Sequence, residues 1–142
     1  MLAYAYSGAS IKLRDLRTKQ VLGAFRGHKE YINGLVFSPD SKTLATASLD
    51  GTAKLWRVPT GQLLLTIPSQ WGVTWCTAFS PDGRILAIGS GSARRSQLML
   101  LRAVTEAEAA APKTLGRAPA SLWQPSELTD RGWLHNSPTF LA

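Results

Sequence analysis

The stretch that decides the fold runs from Phe37-Ser38-Pro39-Asp40 to Leu44-Ala45-Thr46-Ala47-Ser48-Leu49-Asp50-Gly51-Thr52-Ala53-Lys54-Leu55-Trp56. Its apolar and β-branched residues fall in short runs bounded by turn formers, a pattern of strands rather than helices. Pro39 presets φ at the second position of a turn, and Asp40 can accept local hydrogen bonds there. Asp50-Gly51 supplies the positive φ of a tight hairpin, and Pro59-Thr60-Gly61 closes the next one. Strands are therefore expected near Ile32–Ser38, Thr43–Ser48, Ala53–Val58 and Gln62–Thr66, four antiparallel strands joined by three hairpins.

The unit repeats. Phe37-Ser38-Pro39-Asp40 returns 42 residues later as Phe79-Ser80-Pro81-Asp82, and Leu44-Ala45 returns as Leu86-Ala87. In the other direction Ile11-Lys12-Leu13 falls on Ala53-Lys54-Leu55, Thr18 on Thr60 and Gln20 on Gln62. The period covers roughly residues 4–103. A repeat of ~40–45 residues made of short strands signals the blade of a β-propeller.

Gly27-His28, Phe37-Ser38-Pro39-Asp40 and the run Leu44–Trp56 together closely resemble a WD-repeat blade, and the likeness extends over about 100 of the 142 residues. The resemblance implies a hydrogen-bonded structural tetrad of His28, Thr46, Asp50 and Trp56. Its physical logic is that a buried indole N–H needs a partner, which a hydroxyl and an imidazole can relay to a carboxylate. The flanking units depart from the pattern. Tyr4, Gly8 and Arg14 stand at the hydroxyl, carboxylate and indole positions of the first unit. In the third, Gln70 replaces His28, Ile88 replaces Thr46, and an insertion around residues 93–96 brings Leu101 to the Trp56 position. The expected architecture is all-β: a partial β-propeller of about three four-stranded antiparallel blades, two of them incomplete, with a short helix or disordered C-terminal tail. The units are an incomplete blade at 1–26, a complete one at 27–68, a degenerate incomplete one at 69–103, and an Ala/Pro-rich, mobile tail at 104–142. A capping box at Thr105–Glu108 suggests the short helix. Trp123 and Trp133 are candidate partner anchors within the tail. Since propellers run from ~4 to 8 blades, the chain reads as a fragment or truncated form of a longer propeller protein.

Composition bounds the function. Sixteen basic against nine acidic residues give a net charge of +7, which favours anionic partners. The charges are dispersed, however, with Arg94-Arg95 as the sole basic doublet. Nucleic acid is disfavoured because no recognition motif or aromatic platform accompanies them. One cysteine and two distant histidines exclude a disulfide framework and give no metal-ligand spacing. Cys76 aligns with Gly34 on a first strand and reads as a small buried side chain, His135 as a non-ligand, and Gly89-Ser90-Gly91-Ser92 as a flexible hairpin loop rather than a phosphate cradle. No apolar run approaches the ~18 residues of a membrane span, and no secretory signal is visible. The chain reads as intracellular, in the cytoplasm, or in the nucleus of a eukaryote.

His28, Thr46 and Asp50 superficially resemble a catalytic triad, but the register places them around Trp56 within one sheet. No catalytic, cofactor or metal residue is therefore assigned. What the resemblance implies is a non-catalytic scaffold binding proteins or peptides, with Arg94 and Arg95 as candidate contacts and with self-association or completion by further blades. The alternatives are a regulatory or sensing propeller segment of a larger signalling enzyme (a kinase or ATPase) and nucleic-acid binding through the basic face.

Overall fold

A computed structural model describes residues 1–103 and the backbone of residues 123–127. Its strands in chain order are β1 Leu2–Tyr6, β2 Ser10–Arg14, β3 Val21–Arg26, β4 Ile32–Phe37, β5 Thr43–Ser48, β6 Thr52–Arg57, β7 Leu63–Pro68, β8 Val73–Phe79, β9 Ile85–Ser92, β10 Arg95–Ala103 and β11 Trp123–Glu127. They form three antiparallel sheets, ordered β1-β2-β3, β4-β5-β6-β7 and β11-β10-β9-β8. The all-β reading of partial propeller blades thus holds, with strand ends shifted by a residue or two. The expected helix near residues 105–111, the rest of the tail, Trp133 and His135 lie outside the described residues.

Alternation along each strand creates the packing. In β5, Leu44 joins one core with Ile11, Leu13, Phe25, Ile32, Trp56 and Val58, between the first and second sheets. Its neighbour Ala45 joins the other core with Ala53, Leu55, Ile67, Leu86, Ile88 and Leu101, between the second and third. A strand sandwiched between two sheets is buried on both faces, and Leu44 through Ser48 are all buried. The small residues Ala45, Thr46, Ala47 and Ser48 let the outer sheets approach closely.

The register explains the insertion. Leu44 pairs with Trp56, and Leu86 pairs with Leu101. Leu101 therefore occupies the place of Trp56 and is buried in the second core. The extra residues lengthen the β9–β10 hairpin, so Gly89 to Ser92 are paired within β9 rather than forming a loop. That corrects the reading of this segment: its small residues admit close backbone approach, as an ideal Cβ on Gly91 would lie 2.9 Å from the Ser96 Cα.

The third sheet also has a fourth strand where the repeat offered none. Residues 123–127 pair with β10, Pro125 opposite Leu101. A proline demotes a run when strands are read from sequence, yet the outermost strand of a sheet has one edge outside the ladder, where a missing N–H is tolerated. The 42-residue period pointed instead to Glu108–Ala111, which favours helix.

Candidate interaction surface

At the centre of the second sheet four polar side chains meet. Trp56 Nε1–H donates to Thr46 Oγ1 at 3.0 Å. Thr46 Oγ1 lies 2.7 Å from His28 Nε2, and His28 Nδ1 lies 2.9 Å from Asp50 Oδ2. Only the imidazole can donate to an ionised carboxylate, so the neutral ring carries its proton on Nδ1 and accepts the threonine hydroxyl at Nε2. Every donor then points the same way, from Trp56 through Thr46 and His28 to Asp50. Gly27 is needed just before His28 because the indole crosses there: an ideal Cβ on Gly27 would stand 3.0 Å from the Trp56 ring, at φ +155°. Phe25 stacks on the same indole, with centroids 5.9 Å apart.

Burial is the main influence lowering the His28 pKa below its ordinary value, and it outweighs the hydrogen bond and charge of Asp50, which pull upward. Burial also raises that of Asp50. Hydrogen bonds from the Thr52 hydroxyl, the Lys29 N–H and His28 overcome it and hold the carboxyl far below the usual carboxylate range. At neutral pH the 2.9 Å contact between His28 and Asp50 is consequently a hydrogen bond from a neutral ring to a carboxylate.

Thr52 was not singled out by the sequence reading. Its N–H and hydroxyl both reach Asp50 Oδ1, at 2.9 and 2.6 Å. The signal was available in Asp50-Gly51-Thr52, since an Asp that caps the residue two positions on is an ordinary turn device. The Phe-Ser-Pro-Asp turns are built similarly: Ser38 donates to Asp40 at 2.6 Å, and Thr43 N–H donates to Ser38 Oγ at 3.0 Å.

Thr46 is fully buried and Trp56 is 1% exposed, so neither the hydroxyl nor the indole is open to a ligand. The accessible chemistry lies along one rim. The pairs Ile32↔Ser48 and Thr52↔Pro68 bring the segment 27–31, the turn 49–51 and the segment 69–72 to the same end of the second sheet. Ser69 N–H donates to Gly51 O, and Ile32 N–H to Gly8 O. The rim therefore continues across the neighbouring sheets. Tyr31 is 65% and Trp75 54% exposed upon it, and Trp71 is also exposed. The Arg95 guanidinium lies 4.5 Å from the centroid of the Trp71 ring, while Arg94 is exposed in the β9–β10 turn. Trp71 and Trp75 occupy the positions of Lys29 and Asn33 in the 42-residue register. A large aromatic at a polar repeat position was the sequence signal for this surface.

Cys76 is exposed, contrary to its reading as a buried residue. The alignment with Gly34 holds, but a third sheet covers Gly34, where an ideal Cβ would lie 3.4 Å from the Cys76 Cα. Nothing among the described residues covers Cys76 itself. The described residues hold no cluster of three potential metal ligands, and no helix long and apolar enough to cross a membrane.

Comparison with known proteins agrees with this architecture. The family "WD domain, G-beta repeat" matches residues 19–57 and 61–94. Each match takes the outer strand of one sheet and runs into the next sheet, so the repeat unit interlocks neighbouring blades. The chain is similar to "WD repeat-containing protein 89 homolog" of Dictyostelium discoideum, 39% identical over 94 residues, covering 65% of this chain and 25% of that protein. It is 34% identical over 87 residues to "U3 small nucleolar RNA-associated protein 21 homolog" of Schizosaccharomyces pombe, covering 61% of this chain and 10% of the relative. With "COMPASS component SWD2" of Saccharomyces cerevisiae it shares 30% identity over 122 residues, 86% of this chain and 36% of the relative. The chain thus spans only a quarter or less of the first two relatives. With half its length matched by the repeat and three interlocking sheets of the corresponding form, the chain belongs to the WD40 repeat family.

Proposed function

We infer that the chain is a non-catalytic platform for binding proteins or peptides. The observation that carries this reading is the rim on which Tyr31, Trp71, Trp75 and Arg95 stand exposed above rigid sheets. Tryptophan, tyrosine and arginine are the side chains that dominate protein–protein binding energy. The hydroxyl–imidazole–carboxylate set that might suggest a hydrolase is spent internally: Thr46 is buried, and both His28 nitrogens have partners. His28, Thr46, Asp50 and Trp56 are accordingly structural. The working units are residues 1–26, 27–68 and 69–103, the last joined by β11, and an intracellular setting suits relatives named as parts of nucleolar RNA and COMPASS assemblies.

Immobilised chain, incubated with lysate in native buffer, should retain protein partners. Trp71→Ala and Trp75→Ala should each weaken retention by a factor on the order of thirty, the effect of a ~2 kcal/mol interface residue, without lowering the melting temperature. Undiminished retention by both variants, or no protein retained beyond a control of equal charge, would overturn the reading.

A further inference from the structure

One corner of the rim changes the sign of its charge between the second sheet and the third. In the second, the segment before β4 is tied to the β5–β6 turn by Asp50, which accepts from the Lys29 N–H at 3.0 Å and lies 2.9 Å from His28 Nδ1. The residues 42 positions on from His28, Lys29 and Asp50 are Gln70, Trp71 and Ser92, so the third sheet has no carboxylate for that tie. Arg95 makes it instead, its guanidinium 4.5 Å from the centroid of the Trp71 ring. The segment carrying Trp71 is held against the hairpin: Trp71 N–H donates to Ser69 Oγ at 3.1 Å, and an ideal Cβ on Gly72 would lie 3.1 Å from Gly91 O. Both halves of the pair, the segment leading into β8 and the β9–β10 hairpin, belong to the same sheet. Their contact does not depend on what stands beside that sheet.

The corner is also raised and uncompensated. Leu86 to Leu101 is three residues longer than Leu44 to Trp56, and three residues shared by two strands carry the hairpin about 5 Å further than its counterpart. The ladder continues to the tip through Ser96↔Gly91 and Arg95↔Ser92, so the added length is paired strand. Arg94 stands exposed in the turn next to Arg95. Residues 51–105 contain one acidic residue, Asp82, which lies at the far end of the sheet and accepts from the Arg84 N–H at 3.0 Å. The one ion pair among the described residues joins His28 to Asp50, so no described carboxylate neutralises Arg94 or Arg95.

We propose that this raised corner clamps a carboxylate of an acidic polypeptide segment, Arg95 presenting its fork from the Trp71 ring and Arg94 adding a second charge. The proposal deepens the protein-binding reading above and rests on it only in taking a polypeptide as the ligand. A guanidinium stacked on an indole keeps its in-plane N–H groups free, and a carboxylate takes two of them in parallel hydrogen bonds. Stacking also fixes the fork before the ligand arrives, which lowers the ordering cost of binding. An apolar partner surface would have to bury both arginines unpaired, at a heavy desolvation penalty. Single-stranded nucleic acid would need the aromatic face for base stacking, and Arg95 already occupies the Trp71 ring.

The test is fluorescence anisotropy of a labelled octaglutamate peptide with the full chain. Saturable binding that weakens with salt is expected, and Arg94→Gln/Arg95→Gln should lower affinity by about tenfold or more. Arg57→Gln/Arg84→Gln removes the same charge at the opposite end of the sheets and should change it less than about twofold. Arg95→Lys alters one exposed side chain, keeping the charge and losing the planar fork. A fall of about threefold or more in that variant separates a clamp from net charge, and Trp71→Leu should reproduce it at unchanged charge. Equal losses in the corner and control variants, full affinity in Arg95→Lys, absence of binding, or tighter binding of a labelled octathymidylate would overturn the proposal. Octaglutamate binding with these losses, by a chain that retains no cellular protein, would refute the scaffold reading while supporting the corner. Protein retention that survives Arg94→Gln/Arg95→Gln, without octaglutamate binding, would do the reverse.

Discussion

Replacing Thr46 by valine exchanges a hydroxyl for a methyl at nearly constant volume, so it isolates the hydrogen bonds from the packing. The wild-type Oγ1 accepts from Trp56 Nε1 at 3.0 Å and faces His28 Nε2 at 2.7 Å. Both partners would lose their bond in a site where Trp56 is 1% and His28 7% exposed. A buried polar group left unpaired costs about 1–3 kcal/mol. Two such groups, partly relieved by relaxation of the imidazole, give an expected loss of about 2–4 kcal/mol. Thr46→Ser keeps the hydroxyl and removes one methyl, worth about 1 kcal/mol. Urea unfolding followed by circular dichroism should show a midpoint shift of at least about 0.7 M for the valine variant, with a slope of ~1–3 kcal/mol/M. If Thr46→Val unfolds within about 0.5 kcal/mol of wild type, or if serine is as damaging as valine, the donor chain is not what holds the second sheet.

Acid should weaken the fold in two stages. The folded pKa of His28 is lowered, chiefly by burial, so below pH ~6.5 the unfolded chain binds the proton first and stability falls until the folded ring titrates too. Asp50 is also lowered, so its contribution is present above about pH 3.9 and is lost as the pH falls through the folded value. Urea midpoints measured between pH 8 and pH 3 should decline monotonically, and His28→Gln should abolish the upper limb; rising stability from pH 7 to 5.5 would contradict this. Gly61→Ala places a Cβ 2.6 Å from Phe25 Cε1 at a φ of +73°, and should cost about 1–3 kcal/mol in the same urea assay through strain on a buried ring. Cys76, exposed on the third sheet, should react with a maleimide in native buffer nearly as fast as in urea; strong protection would mean that another surface covers that face.

Blade identity was legible because it is written in local chemistry. Ser38-Pro39-Asp40 and Asp50-Gly51 fix turns, and alternation between them fixes strands whatever surrounds the sheet. The spacing of His28, Thr46, Asp50 and Trp56 was legible for the same reason, since a strand register converts spacing into contact. Properties set by neighbouring sheets were not legible. Cys76 looks like an interior residue because its repeat partner Gly34 backs onto the third sheet, yet burial depends on a covering sheet and the described residues supply none for Cys76. β11 escaped detection because a proline within the run and a long intervening connection both broke the period. The rim aromatics Trp71 and Trp75 stand out only against their repeat positions, which Lys29 and Asn33 occupy in the second sheet.

The second sheet is locked by the donor chain that runs from Trp56 through Thr46 and His28 to Asp50. Hydrogen exchange of the tryptophan indole N–H groups, followed by NMR on the native chain, tests it most directly. Trp56 Nε1–H, buried and donating to Thr46, should exchange only through opening of the sheet, orders of magnitude more slowly than the exposed Trp71 and Trp75. Thr46→Val should accelerate it. An indole at Trp56 exchanging as fast as those of Trp71 and Trp75 in the native chain would show that the donor chain does not lock the sheet.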